Sequence, residues 1–218
     1  MHNGSDLSSA HAAMLELVRR NVRDARVIDA LASVRRERFV PEALRAQAYD
    51  DRALPIGEGQ TISQPLMVGL MLEALQLRPD DRALEVGAGS GYVAALLARL
   101  VRRVTAVERL PALAERARLA LAREGCTKVD VFAAAERLGW EAGAPYDAIL
   151  VSAGAPHVPR MLLDQLVGGG RLVLPVGTRA DQQIVRATKT PHGIDLMRRG
   201  ACAFVPLIGE EAWPAAAQ

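Results

Sequence analysis

The sequence lacks the signals that mark several large classes of protein. Its two cysteines, Cys126 and Cys202, lie far apart and share no metal-binding or redox spacing. That argues against a disulfide framework and for reduced thiols in a cytoplasmic protein. The four histidines, His2, His11, His157 and His192, form no ligand pattern, so no metal is expected. No apolar segment is long enough to read as a signal peptide or a membrane span, because Arg or Glu interrupts each one. Lysine is scarce, the net charge is only +2, and no run of five basic residues occurs. Bulk charge therefore gives no support to nucleic-acid binding, and neither nucleic acid nor membrane is an expected partner. There is no internal repeat and no low-complexity linker. What remains is a globular chain of 218 residues, 50% hydrophobic, long enough to bury a sizeable core. A monomer is expected, with an N-terminal helical segment and loop over 1–78 and an α/β domain over 79–218.

Hydrophobic spacing supplies the order of elements. Residues 1–10 are small and polar and are expected to fray. Apolar residues from Met14 to Leu31 recur at helical spacing around Asp24, which predicts two short helices. Pro41 can open a further turn through about Ala46. Tyr49 to Gln64 has Pro55, Gly57 and Gly59 and no strong period, and reads as a loop with few core residues. A helix follows from Pro65, with Ser63 near its N-cap. Strands are then predicted over 82–86, 103–107, 128–132, 146–152 and 171–176, and helices over 92–100, 111–123 and 159–166. Strands alternating with helices imply a doubly wound, mostly parallel sheet. Beyond Gly177, strands over 183–188 and 194–205 around Pro191-His192-Gly193 predict an antiparallel edge hairpin.

Within that alternation, Leu84-Glu85-Val86 is an apolar run carrying one acid, and Gly87, Gly89 and Gly91 follow it at every second position before a helix begins at Tyr92. A strand, a tight glycine turn and a helix form the unit that holds a nucleoside-containing cofactor against backbone. The spacing is neither G-x-G-x-x-G nor a phosphate-binding loop, and no lysine follows to hold a polyphosphate, which argues against ATP or GTP. A second acid, Glu108, ends the next strand, where a carboxylate can accept hydrogen bonds from ribose hydroxyls. The third strand leads into Ala133-Ala134-Ala135-Glu136, and the fourth into Ser152-Ala153-Gly154-Ala155-Pro156, whose small residues permit close approach of a substrate backbone. The glycine turn with its preceding acid (Glu85 through Ala88 to Gly91) looks like motif I of the S-adenosylmethionine-dependent methyltransferases.

The segment Asp50-Asp51-Arg52-Ala53-Leu54-Pro55-Ile56-Gly57-Glu58-Gly59-Gln60-Thr61-Ile62-Ser63-Gln64-Pro65 strongly resembles the signature loop of the protein-L-isoaspartate O-methyltransferases. Arg36-Glu37-Arg38-Phe39-Val40-Pro41, Gly139-Trp140, Pro145-Tyr146-Asp147-Ala148-Ile149, Gly169-Gly170-Arg171 through Gly177, and Phe204-Val205-Pro206-Leu207 resemble later parts of that family in the same order. The resemblance implies a Rossmann-like methyltransferase fold, S-adenosyl-L-methionine as cofactor, S-adenosyl-L-homocysteine as product, and isoaspartyl-containing proteins and peptides as substrates. Methylation of the isoaspartyl carboxylate then gives an ester that collapses to a succinimide, which begins repair of the backbone. By the same resemblance Glu85, Gly87, Ala88, Gly89, Gly91 and Glu108 hold the cofactor. Glu85 offsets the charge of its ammonium and sulfonium groups, and Ala135 and Glu136 lie at the adenine. The family usually carries Gly-Asp-Gly there; this chain has Ala134-Ala135-Glu136, with Ala135 in the aspartate's place. Ser63 is assigned to orient the substrate carboxylate. Thr61, Ile62, Gln64, Ala153, Ala155, Pro156, Val205 and Pro206 are assigned to the peptide groove.

A carboxylate nucleophile with a pKa near 4 is ionised in about thousandfold excess at neutral pH and needs no base. That agrees with the lack of any His or Lys at a strand end. Two other readings stay open on the residues alone: a methyltransferase of this fold acting on another carboxylate or a small molecule, and a protein-binding module with weakened cofactor affinity.

Overall fold

The computed structural model describes residues 3–135 and 137–214. Helix α1 (Asn3–Asn21) begins well before the expected point, so most of the segment expected to fray is helical. Its buried residues Met14, Leu15 and Val18 recur at the spacing of one helix face. Asp24 separates it from α2 (Ala25–Ser33) and caps that helix, its side chain accepting from the Arg26 amide. Pro41 precedes a 3-10 turn over Glu42–Gln47.

The expected loop over 49–64 is corrected by the structure. It contains a small antiparallel hairpin, β1 (Leu54–Gly57) and β2 (Gln60–Ile62), closed by Glu58-Gly59. Both turn residues have positive φ, 54° and 67°, the geometry that matches the twist of a two-residue hairpin. Leu54, Ile56 and Ile62 are buried core residues. Helix α3 (Pro65–Leu75) then starts with Gln64 at its N-cap and Pro65 in its first turn. Ser63 therefore does not occupy the cap. The start of α3 is held from a distance instead: the Asp51 carboxylate accepts from the Leu66 amide at 2.9 Å. At its other end, Arg171 donates to the carbonyls of Leu75 and Gln76 and pairs with Asp81 at 2.5 Å, all in the interior. Both ends of the helix that follows Ser63 are thus fixed, its start by Asp51 of the segment leading into the hairpin and its end by Arg171 of β7.

The main sheet has seven strands: β3 (Arg82–Val86), β4 (Arg103–Glu108), β5 (Val129–Ala133), β6 (Tyr146–Val151), β7 (Leu166–Gly177), β8 (Gln182–Thr190) and β9 (Gly193–Cys202). Their order is β5-β4-β3-β6-β7-β8-β9, parallel through β7 and antiparallel for the last two. Helices α4 (Tyr92–Leu100), α5 (Pro111–Arg123) and the short α6 (Arg160–Asp164) connect the parallel strands. Strand β7 begins five residues earlier than expected: the three glycines from Gly168 lie inside it, as an irregularity in its pairing with β6. Alternation along the strands builds two cores. Ala83, Ala106, Leu150 and Val173 face the cluster shared with α1–α5, and Leu84, Val107, Ile149 and Leu172 face the opposite cluster containing Leu162 and Tyr146.

Candidate functional site

The strand order reverses at β3, with β4 on one side and β6 on the other, and ligands of open α/β sheets sit beyond the strand carboxyl ends at such a point. A cleft lies there, about 1020 Å³ with the open solvent at its mouth included. Its floor is the glycine turn. Gly87, Gly89 and Gly91 all have positive φ, 87°, 53° and 87°, which explains their spacing at every second residue. A side chain at Gly89 would meet Ile56 of the β1–β2 hairpin at 3.3 Å. The glycine lets that hairpin close over the turn.

Two buried acids stand beside this turn and differ in environment. Glu108 uses both carboxylate oxygens on backbone, accepting from the Gly89 amide at 2.8 Å and the Leu110 amide at 2.9 Å. Each oxygen retains a second lone pair, so two acceptor positions stay available for ligand hydroxyls. Glu85 is almost fully enclosed, with Oε1 accepting from Ser152 Oγ at 3.2 Å and Oε2 without any partner. Burial pushes its carboxyl well above the ordinary carboxylate range, Ser152 opposes that shift, and the nearby Glu108 adds to it.

An unpartnered buried carboxylate oxygen on the wall of a cleft calls for a donor or a cation. The backbone-bonded Glu108 offers acceptors, and the glycine turn offers a surface free of side chains. This donor set fits S-adenosylmethionine, whose ammonium, sulfonium and ribose need those features. The Glu85 pKa gives a linked prediction. In the free protein its carboxyl is raised, so it stabilises the fold most below the unfolded carboxylate value, about 4.3, and loses that contribution as pH rises through its folded value. A cationic ligand lowers the same pKa. Binding of S-adenosylmethionine is therefore expected to release a proton and to tighten as pH rises. Titration calorimetry in two buffers of different ionisation enthalpy should detect that release. A Glu85→Gln variant should abolish it; an unchanged proton count in the variant would remove Glu85 from this role.

A second cavity adjoins the first on the side of the signature loop, lined in part by Gln64, Met67, Cys202 and Phe204. Four residues line both: Thr61, Ser63, Ser152 and Val205. Pairing between Thr61 and Pro55 in the hairpin and the docking of 204–207 bring these distant segments together. That docking is explicit: Gln182, buried, donates to the Phe204 carbonyl and accepts from its amide, while Gly154 exchanges two backbone hydrogen bonds with Val205 and Leu207.

The structure brings most of the expected residues to the cleft. Thr61, Ile62, Ser63, Glu85, Gly87, Ala88, Gly89, Glu108, Ala135, Ala153, Val205 and Pro206 line it. Gly91 lies behind it, as the N-cap of α4 packed against Ala117 of α5. Gln64 lines only the second cavity. Ala155 and Pro156 line neither: Ala155 is fully buried and bridged to Val176. Glu136 lies outside the described residues. Sequence reasoning missed Ser90, Tyr92, Arg109, Arg137 and Leu138 as lining residues. Arg137 and Leu138 had a signal, their place between the third strand and Gly139-Trp140.

Comparison with known proteins agrees with this geometry. The family model described as protein-L-isoaspartate(D-aspartate) O-methyltransferase matches residues 9–212. The chain is 50% identical over 216 residues to protein-L-isoaspartate O-methyltransferase 2 of Marinobacter nauticus, covering 97% of this chain and 99% of that protein. It is 52% identical over 211 residues to the protein-L-isoaspartate O-methyltransferase of a Roseiflexus species, covering 96% and 97%. Among solved structures it is similar to a Plasmodium falciparum homologue of the same enzyme in complex with S-adenosyl-L-homocysteine, with a TM-score of 0.78 and 26% identity, over 89% of this chain and 96% of that one.

Proposed function

The chain belongs to the protein-L-isoaspartate(D-aspartate) O-methyltransferase family, and from that premise we propose how its own residues carry out the reaction. The activity is S-adenosylmethionine-dependent methyl transfer to the carboxylate of L-isoaspartyl residues, the first step in repair of damaged protein. When bound, the cofactor supplies an electrophilic methyl group on a sulfonium. Glu85, Gly87, Ala88, Gly89 and Glu108 hold it, with Gly91 setting the turn behind them and Ala135 at the adenine end. Ser63 donates its hydroxyl to one oxygen of the substrate carboxylate, leaving the other oxygen free to attack. Thr61, Ile62, Ala153, Val205 and Pro206 shape the junction, and Gln64 the peptide groove beyond it. Ala155 and Pro156 act through the backbone that positions Ala153.

The observation that carries this reading is the set of residues common to both cavities. Thr61, Ser63, Ser152 and Val205 are where a donor in the first cavity and an acceptor in the second must meet. The chain's work is orientation and exclusion of water, since the nucleophile is already ionised. We take the single chain as the catalytic unit, because the residues shared by the two cavities all belong to it. Among the described residues no helix is long and apolar enough to cross a membrane. We place the reaction in the cytoplasm, with neither membrane nor nucleic acid as a partner. The test is a pair of peptides identical except for one linkage. Methyl transfer to the isoaspartyl peptide and none above background to the aspartyl twin is expected; equal transfer to both, or to neither, rejects the substrate assignment.

A further inference from the structure

Ser152 stands one residue past the end of β6, where its amide donates to the Val86 carbonyl of β3 at 2.9 Å. Its side chain is therefore carried by the sheet and not by a free loop. The hydroxyl has a fixed duty. Oγ lies 3.2 Å from Glu85 Oε1, and an ionised carboxylate only accepts, so the single hydroxyl proton of Ser152 points at Glu85. A protonated Glu85 would instead donate to Oγ and occupy a lone pair. With Glu85 ionised beside the cationic cofactor, both lone pairs of Oγ stay available. Ser152 lines the second cavity as well as the first, and toward the second it is an acceptor with no proton to give. Ser63 lines the same two cavities and acts there as a donor. Two hydroxyls at one junction thus present opposite hydrogen-bonding characters, and Glu85 sets the difference.

An isoaspartyl residue carries the matching pair. Its main chain leaves through the side-chain carbonyl, so the free carboxylate and the residue's own N–H sit on the same carbon. In an aspartyl residue a methylene separates that carbon from the carboxylate. We propose that Ser152 accepts a hydrogen bond from the N–H of the isoaspartyl residue while Ser63 donates to its carboxylate, so that the two hydroxyls together read the one-carbon spacing that marks the damaged linkage. This role rests on the isoaspartyl reading of the site and adds to it the group that recognises the linkage. An aspartyl residue with its carboxylate at Ser63 would hold its N–H one bond farther away, and Ser152 would lack its donor. A site built around a polar pair rejects a ligand that leaves one member unpaired. Ser152 is then a specificity-determining residue, held in its acceptor state by the same carboxylate that faces the cofactor.

The test compares an isoaspartyl peptide with its depsipeptide analogue, in which an ester oxygen replaces the N–H of that residue and the carboxylate stays in place. Steady-state kcat/KM is measured for both at saturating S-adenosylmethionine. The ratio is taken within each protein, so a change in cofactor binding cancels. The natural chain is expected to prefer the N–H peptide about tenfold, through the loss of one hydrogen bond with a lone pair now facing Oγ. Ser152→Ala should lower turnover of the N–H peptide and bring the ratio to within about twofold of one. Ser152→Thr keeps the hydroxyl and should keep the preference, whereas a packing role for Ser152 would change both peptides alike. Equal turnover of the two peptides by the natural chain overturns the proposal. So does a preference that survives in Ser152→Ala or vanishes in Ser152→Thr. Failure of the isoaspartyl reading itself looks different: the aspartyl twin is methylated as well as the isoaspartyl peptide, or neither is, whatever stands at position 152.

Discussion

Replacing Glu108 with Gln is expected to raise the dissociation constant for S-adenosylhomocysteine about a hundredfold. Part of the reason lies in the two amides that this side chain already serves. Its oxygens accept from Gly89 and Leu110 at 2.8 and 2.9 Å, and a carboxylate can do both because it is acceptor-only. A carboxamide cannot. Whichever way it turns, its NH2 group meets one of the two backbone N–H groups. Leaving one buried donor unpaired costs about 1–3 kcal/mol, and weakening a charge-assisted bond costs a similar amount. Both amide bonds exist without ligand, so their loss falls on the turn itself; weakening the two charge-assisted bonds that Glu108 would accept from the ribose hydroxyls costs about 3 kcal/mol, roughly a hundredfold in affinity. The turn at Gly89 would also lose the contact that fixes its position relative to β4. Titration calorimetry measures the change directly, and a dissociation constant within threefold of the natural chain's would show that Glu108 does not organise this turn.

Glu108 also illustrates what could be read from the chain in advance. Its position at the end of a strand, beyond a glycine turn, marked it as a ribose acceptor from local pattern alone. The bonds to Gly89 and Leu110 were not legible, because they depend on how the turn folds back across the neighbouring strand. The same division runs through the fold. Helices α4 and α5 begin and end where expected because Gly91 and Pro111 punctuate the sequence at their starts. The β1–β2 hairpin reads as a loop in the sequence because Pro55 and two glycines obscure a short alternation. Leu54 and Ile56 point inward and Pro55 and Gly57 outward, a pattern only four residues long. Its turn uses Glu58 at positive φ, where Asn would have been the readable signal. The glycines from Gly168 suggested a turn, yet Leu166 already pairs with Tyr146, a contact set by the sheet and not by local preference.

Site residues divide in the same way. The glycine turn is contiguous and so was visible. Ser152 was seen only as part of a small-residue segment, and its bond to Glu85 arises because β3 and β6 are neighbours in space, 67 positions apart in sequence. The unpartnered oxygen of Glu85 has no sequence signature at all. It is defined by what surrounds it.

Replacing Ser63 with Ala is expected to lower kcat/KM for an isoaspartyl peptide by about ten- to a hundredfold, the loss of one hydrogen bond to a charged group. S-adenosylhomocysteine affinity should stay within a factor of two or three, because Glu85, Glu108 and the glycine turn are untouched. Stability separates this role from a structural one. An N-cap serine contributes about 0.5–2 kcal/mol to its helix, but Gln64 occupies the cap of α3 and no side chain caps that helix end by hydrogen bonding. The start of α3 is fixed by Asp51 instead. Loss of the Ser63 hydroxyl should therefore shift the unfolding free energy by no more than about 0.5 kcal/mol, the range of a surface substitution without a structural role. The pH profile carries a further distinction. Because the attacking carboxylate is ionised throughout, Ser63 orients it and removes no proton, so the variant should keep the natural chain's pH dependence while its turnover falls. Peptide kinetics and chemical denaturation on the same preparation decide the matter. Undiminished turnover would remove Ser63 from the reaction, and a fall in stability matching the fall in rate would make it a structural residue only.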